Sequence, residues 1–419
     1  VKCFSKSWGT LMWVLAATFY FIEIIVRASL GVISENLSAE FLLTATQLGS
    51  LAAVYNYAYS PLQIPFGLLV DRWGPRKLLA TCCGLFGAAT FLFALAPHYY
   101  VALIARFFIG AGSACAFIGC IRLVVEWFPP TFFPFMVGLT NAIGCLAGMV
   151  AEYPLAKAVS LQGWRHPFLL LGGGGLALAF LIWAVVRDHP CRSTNISEEV
   201  EAPQSVGYSL WLVIKNPQIW LSGIVGGVLY LPLIAFAELW AIPFIQSAYG
   251  ISHEQAALSA TAIYVSFAVG SLCMPFVCKR LKSYKKTIFL GGCIAAFSMS
   301  LLCFSKHIPF YLGVCLCSIT GLAIGVQVLV FTLTNDHVDK SVSGIASAFT
   351  NCLIMFIAGF SQHFLGHIID KNLSTPGQYT YGDYQKAIAL IPLAILASFF
   401  FLFWVKDTYQ NQTSSSEAP

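Results

Sequence analysis

A chain of 419 residues that is 58% hydrophobic, only 10% charged and has a mean hydropathy of +0.77 carries far more apolar surface than one soluble core can hide. That composition excludes a soluble enzyme, and the net charge of +5 follows from membrane topology and not from nucleic-acid binding. A transmembrane β-barrel is excluded as well, because its strands alternate over about 10 residues where this chain has long unbroken apolar runs.

A spanning helix needs about 20 mostly apolar residues, and twelve such segments are predicted. The first six are 8–33, 44–70, 77–96, 99–126, 132–158 and 166–187. The second six are 218–246, 253–280, 286–305, 309–334, 341–369 and 384–406. The first segment is too long, and too polar at Glu23 and Arg27, for a cleaved signal peptide, so it is read as a retained helix. Between the sixth and seventh segments the composition turns polar, with His189, Pro190, Arg192, Glu198, Glu199 and Glu201. The fold class is therefore an all-α polytopic membrane protein. Its parts are a six-helix bundle over 1–187, a linker over 188–217, a second bundle over 218–406 and a tail over 407–419. A shift of 208 residues lays Asp71-Arg72-Trp73 on Lys279-Arg280-Leu281, a weak internal repeat in which the second copy keeps only the basic turn.

Positively charged loops stay in the cytoplasm. With the N-terminus inside, fifteen of the 23 Lys and Arg residues fall in cytoplasmic segments, five outside (Lys157, Arg165, Lys306, Lys371, Lys386) and three within the membrane. Both termini are thus expected in the cytoplasm. Twelve of the 14 cysteines lie inside apolar segments and no pair has zinc-finger spacing, so neither disulfides nor a bound metal is expected.

The stretch Gly67-Leu-Leu-Val-Asp71-Arg72-Trp73-Gly74-Pro75-Arg76-Lys77 is a compact charged turn between the second and third segments. Gly67 and Gly74 permit close approach and a tight turn. Asp71 is placed to accept hydrogen bonds at a neighbouring helix N-terminus and to pair with Arg72 or Arg76. The pattern resembles the signature loop between helices 2 and 3 of the major facilitator superfamily, and the twelve-helix plan extends that resemblance over the whole chain. It implies a cytoplasmic gate made of Gly67, Asp71, Arg72, Gly74, Arg76 and Lys77, set against the plainer role of a basic anchor. Arg122 and Glu126, four apart at the cytoplasmic end of helix 4, are read as gate or anchor residues too. Helix 5, with Gly138, Gly144 and Gly148, resembles the family's glycine-rich fifth helix without its Gly-Pro pair, and is equally a packing face.

An ionisable side chain inside a membrane costs at least about 2–3 kcal/mol, which makes each one a functional candidate. Glu23, Arg27, Arg106, Glu152 and Glu238 lie about 6 to 10 residues from the outer ends of their helices, roughly 9–15 Å deep at 1.5 Å per residue. They are expected in one layer, with Gln362 and His363 at similar depth. Glu23 and Arg27 share a helix face and can pair. Arg27 resembles the first-helix arginine of anion-transporting branches of the superfamily. Arg106-Phe-Phe-Ile-Gly110-Ala-Gly112 resembles its fourth-helix arginine motif, except that Ser113 stands where some relatives place a coupling glutamate. The resemblance implies that the arginines bind a carboxylate or couple it to protons; the alternative is a structural ion pair. Glu238, after Pro232 in helix 7, is a coupling acid or the partner of a substrate ammonium, whereas Glu23 and Glu152 could simply neutralise an arginine. Tyr55, Asn56, Tyr57, Tyr264, Gln327 and Asn351 are neutral cavity candidates, and His363 is read as a packing residue.

Trp127-Phe128-Pro129-Pro130, Gly138-Leu-Thr-Asn141-Ala-Ile-Gly144 and Glu238-Leu-Trp240-Ala-Ile-Pro243-Phe resemble the bacterial branch that includes phagosomal nutrient transporters. That resemblance implies a transporter of the inner membrane, and a monomeric secondary transporter without a cofactor is expected. It would take up amino acids or similar zwitterions by alternating access, with protons as the coupling ion. An organic-anion symporter is the rival. A nontransporting receptor or an enzyme is disfavoured because no phosphate-loop motif, metal-ligand motif or large soluble domain is present.

Overall fold

The computed structural model describes residues 6–188, 206–305, 309–339, 342–373 and 379–409. Among these, twelve membrane-length elements follow one another: α1 (Lys6–Ala28), α2 (Ala45–Trp73), α3 (Pro75–Ala94), α4 (Tyr99–Trp127), α5 (Phe135–Gln162), α6 (Arg165–Val185), α7 (Pro217–Tyr249), α8 (His253–Leu281), α9 (Tyr284–Phe304), α10 (Phe310–Asp336), α11 (Ser343–Lys371) and α12 (Tyr381–Trp404). An even number of crossings returns the chain to the face from which it started, here called the terminal face. α1–α6 form one bundle and α7–α12 the other.

Two departures from the expected boundaries have local causes. α1 stops at Ala28 instead of 33 because Ser29 Oγ donates to the Val26 carbonyl (2.9 Å) and Ser34 Oγ to that of Gly31 (2.7 Å). Such side-chain bonds compete with the helical ladder. A short helix, Ser34–Phe41, follows and is pinned to the start of α6, where Trp164 Nε1 donates to Glu40 (2.7 Å) and the Arg165 guanidinium pairs with it (2.5 Å). Burial pushes the Glu40 carboxyl up, but the bonds from Arg165 and Trp164 outweigh it and hold the group below the usual carboxylate range. The second departure lies in the expected linker. Its residues 189–205 fall outside the described residues, but Val206–Lys215 is a helix whose Val213 packs with Ile219, Ala346 and Phe349.

The weak repeat is real in the backbone. α2 and α8 are each 29 residues long, and each begins with a capping box, Thr44 with Gln47 and Ser252 with Gln255, 208 positions apart. The halves meet along two seams. α2 runs against α11, and α5 crosses α8. On the α2–α11 seam Asn351 donates to Gln63 (2.8 Å), Asn56 to Gln362 (3.0 Å), and Ser50 bonds His363 (2.9 Å). At the face opposite the termini, Asp370 of α11 caps α2: the N–H groups of Ala45 (3.0 Å) and Thr46 (2.8 Å) and the Thr46 hydroxyl all donate to it. Thr44 takes the Gln47 N–H (3.2 Å), so the donors that a helix start leaves unpaired are accounted for. Tyr379 donates to Asp370 (2.7 Å). Burial and that carboxylate push the tyrosine hydroxyl up to about 12, so it remains a donor.

The charged turn is tight at Gly74, whose φ of +78° suits glycine. A Cβ there would sit 2.5 Å from the Asp188 carboxyl. That carboxyl accepts from the Arg76 N–H (2.9 Å) at the start of α3, while the Arg76 guanidinium donates to the Trp183 carbonyl (2.8 Å) and lies over its ring (4.6 Å). The acid at the α3 N-terminus is thus Asp188, where Asp71 was expected to serve such a start; the side chain of Asp71 lies outside the described residues. These bonds join α3 to the end of α6 within one half. Arg122 and Glu126 pair with each other (2.8 Å) and, with Arg72, Gly74 and Asp188, line a shallow recess at this face. Lys77 is exposed, and a Cβ on Gly67 would meet nothing within 4 Å, so no close approach depends on that glycine.

Candidate functional site

Four helices lose their regularity at mid-depth, and proline stands at two of the breaks, Pro154 in α5 and Pro232 in α7. α4 is interrupted between Ser113 and Ala116. α5 breaks at Glu152, two residues before Pro154, whose missing N–H and bulky ring disrupt the preceding turn. α7 widens into a π-helix over Pro232–Trp240, and α10 tightens into a 3-10 turn over Gly325–Val328. Irregular backbone at such depth is tolerated where it is buried in protein or lines a cavity.

The widened turn of α7 delivers Glu238 to the other half. Its backbone carbonyl accepts from the Gly31 N–H (2.9 Å), and a Cβ on Gly31 would stand 2.9 Å from that oxygen, so only glycine allows the approach. Its carboxylate pairs with Arg27 (3.4 Å) and accepts from the Tyr264 hydroxyl (3.0 Å). Arg27 therefore pairs directly across the halves, where pairing with Glu23 on its own helix was expected. Glu23 instead accepts from the Tyr55 hydroxyl (2.8 Å), with its other oxygen unbonded. Glu23 is wholly buried and Glu238 is 2% exposed, while Arg27 keeps 10% and has no partner for its Nε.

Arg106 has a different place. Its Nη1 donates to the Val26 carbonyl (3.0 Å) and its Nε to that of Leu51 (3.2 Å), and the guanidinium lies 5.1 Å from the Tyr55 ring centroid. Val26 sits in the last turn of α1, where carbonyls lack helical partners. Arg106 thus ties α4 to α1 and α2 and holds the ring that serves Glu23. The glycines of its motif are packing residues: a Cβ on Gly110 would strike the Tyr55 carbonyl at 2.3 Å, and one on Gly112 the Cys82 carbonyl at 2.7 Å.

Glu152 is wholly buried and, among the described residues, neither carboxyl oxygen has a hydrogen-bond partner. The expectation that it neutralises an arginine is not met. The neighbouring Tyr153 N–H donates to Thr261 of α8 (3.3 Å), and Gly148, one turn earlier, lies under the Tyr264 ring. Gln362, Asn56, His363 and Asn351 belong to the α2–α11 seam; Gln362 also donates to the Ile234 carbonyl (2.8 Å). Tyr57 packs at a tilt against Phe356 there, with ring centroids 5.5 Å apart. Gln327 is buried in the turn of α10, and the described bonds do not join it to the charged cluster.

Four side chains escaped the sequence reading. Tyr20, Tyr59 and Tyr230 lie within electrostatic reach of Glu23, Arg27 or Glu238, and buried Trp240 has an Nε1 with no partner. Tyr20 was legible as a neighbour of Glu23, three residues earlier on the same helix. The other three meet the cluster only through tertiary packing. Together the residues make a polar core of two acids, one available guanidinium and several phenols, able to receive one small anionic or zwitterionic group.

Comparisons with known proteins agree with this architecture. The probable sulfoacetate transporter SauU of Cupriavidus necator is 29% identical over 189 residues, 45% of this chain and 44% of that protein, so the matched stretch spans less than half of that relative. The probable galactarate/D-glucarate transporter GudP of Escherichia coli is 20% identical over 425 residues, 94% of this chain and 93% of that protein. In fold, a bacterial homolog to the human lysosomal transporter Spinster, in an inward-facing and unoccupied conformation, aligns over 96% of this chain and 98% of its own at 16% identity and a TM-score of 0.77. The sequence profile of the Major Facilitator Superfamily matches residues 13–362, and the chain belongs to that family of transporters.

Proposed function

We propose that this protein is a secondary active transporter that carries a small carboxylate-bearing organic acid across the bacterial inner membrane by alternating access, in symport with protons. The observation that carries the reading is the buried Arg27–Glu238 pair between the halves. A guanidinium accepts a carboxylate in paired hydrogen bonds, so a solute carboxylate competes with Glu238 for Arg27. Once displaced, Glu238 is a buried carboxylate without its cation, a state costing several kcal/mol. Taking up a proton removes that cost, which links solute binding to proton binding. The phenols of Tyr20, Tyr55, Tyr59, Tyr230 and Tyr264 suit the hydroxyls of an acidic sugar, and the names of the two relatives above support an organic acid.

In orientation, the terminal face bears Arg72, Arg76, Lys77, Lys279, Arg280, Lys282, Lys285 and Lys286, against Lys157, Arg165, Lys371 and Lys386 opposite. That bias supports cytoplasmic termini and a conformation closed toward the outside at Asp370. The turn around Gly74 would then act as the cytoplasmic gate in the opposite state.

A zwitterionic amino acid is the second reading, favoured by the two buried carboxyls near Arg27, Glu238 in its ion pair and Glu23 four residues earlier with one oxygen unbonded, either of which suits a substrate ammonium. Thermal stabilisation of the purified protein, followed by uptake into proteoliposomes, decides between them: a ligand at 100 times its Kd stabilises by about 2.7 kcal/mol. Stabilisation by aldaric or sulfonic acids and its loss in Arg27→Ala supports the organic acid, whereas stabilisation by amino acids alone overturns it. Glu238→Gln should lose proton-driven accumulation and keep solute exchange; retained accumulation removes Glu238 from the coupling.

A further inference from the structure

Glu152 has no task in the cycle just described, yet it occupies a costly position. It sits at the break of α5, between Ala151 and Tyr153, on the helix that crosses α8 of the other half. The contacts described between these two helices lie toward the face opposite the termini. Gly148 lies under Tyr264, the Tyr153 N–H meets Thr261, and Ser160 donates to Glu254 (3.3 Å). The Glu152 carboxyl is closed into this seam with both oxygens unbonded.

Among the described residues, the groups that face it offer no positive charge. Glu238 reaches it from α7 and Tyr264 from α8, the first an acid and the second a phenol. α1 turns Arg27 to Glu238 and Glu23 to Tyr55. α4 turns Arg106 to main-chain carbonyls, and α6 holds its ionisable residues, Arg165 and His166, in its first turn. On α5 itself, Tyr153 and Lys157 follow the break toward the exposed end. An ionised carboxyl enclosed without a cation or a hydrogen-bond donor is strongly disfavoured, and the neutral acid is far cheaper to bury. Glu238 alongside adds like-charge repulsion.

We infer that Glu152 is a protonation checkpoint of the α5–α8 seam: the seam closes only after its carboxylate has taken one proton from the water on the open side, and reopening allows that proton to leave. The inference rests on the alternating-access reading above and goes beyond it. Glu238 answers to the solute, through Arg27, whereas Glu152 answers to closure itself, whether or not the solute is bound. Tyr264, which donates to Glu238 and covers Gly148, links the two acids across the halves.

The roles separate in solute exchange, which needs repeated closure but no net proton transport. In proteoliposomes with equal pH on both sides, exchange by the unaltered protein should fall with rising pH, approaching tenfold per unit on the alkaline limb, as for a single required proton. Glu152→Gln, permanently neutral, should exchange at a rate within about twofold of the acid plateau and lose the alkaline limb, while Glu238→Gln keeps the limb. Should Glu152→Gln be inactive, Glu152→Asp, which restores an ionisable acid, must recover exchange with a displaced limb. The inference is overturned by an unchanged pH profile in Glu152→Gln, by a flat profile in the unaltered protein, or by inactivity of both variants. Arg27→Ala serves as the independent control: normal solute binding there removes the proposed solute site and leaves the exchange profile of Glu152 to be judged by itself.

Discussion

The two seams between the halves are built on opposite principles. Along α2 and α11 the contact is a ladder of neutral and capping hydrogen bonds, from Gln63–Asn351 through Asn56–Gln362 and Ser50–His363 to Asp370 on the first N–H groups of α2. Along α5 and α8 it is steric: a glycine under a tyrosine, one 3.3 Å bond from Tyr153 and another of 3.3 Å from Ser160, and an unpaired acid. The repeat places the same capping box at the head of α2 and α8, but among the described residues an acid from the other half caps the first N–H groups of α2 alone, whereas Glu35 stands 3.9 Å from the His253 side chain at the head of α8. Repetition has kept the scaffold, and divergence at the seams has made one a latch and the other a surface whose closure depends on fit and charge.

The strongest way to break the steric seam is to fill it. A Cβ on Gly148 would lie 2.4 Å from the Tyr264 ring, and overpacking costs about 1–3 kcal/mol. Gly148→Val should therefore disfavour closure roughly 5- to 150-fold at about 1.4 kcal/mol per decade. The measurement is the uptake rate in proteoliposomes; a rate like that of the unaltered protein would show that the seam does not need to close there.

The latch should yield less to a single change, because its bonds are many. Asp370→Ala leaves the Ala45 and Thr46 N–H groups without their acid cap, a loss of about 1 kcal/mol. The expected result is about fivefold faster labelling of a cysteine placed at Ser50 by a reagent added outside. Equal labelling would mean that the neutral bonds suffice.

The smallest effect tests what the seams share. Thr44→Ala and Ser252→Ala each remove a capping-box hydroxyl worth about 1 kcal/mol. Their unfolding midpoints in denaturant should drop together. A gap larger than about 1 kcal/mol would show that the two helix starts are not equivalent despite their common geometry.

The number of crossings and the helical class were legible in the sequence because each rests on local chemistry: twenty-residue apolar runs and Gly or Pro at helix ends. The family was legible for a related reason, since the charged turn and the Arg106-to-Gly112 motif are contiguous in the chain. The burial of Glu23, Arg106, Glu152 and Glu238 was readable as well, because each stands inside a long apolar run, whereas the count from helix ends failed for Arg27, which lies one residue from the end of α1. Partners were another matter. Arg27 stands four residues from Glu23 and bonds Glu238, because a π turn in α7 and a glycine at position 31 bring a distant backbone closer than its own helix neighbour. Arg106 reads as a ligand in the sequence and holds main-chain carbonyls in the structure, one of them that of Val26 in the last turn of α1. Among the described residues Glu152 has no arginine beside it, and no local pattern could reveal that, because isolation is a property of everything that packs around a residue. Helix identity depends on a residue's neighbours in the chain; the partner of a buried charge depends on which helices approach it in space, and that was decided only by the tertiary structure.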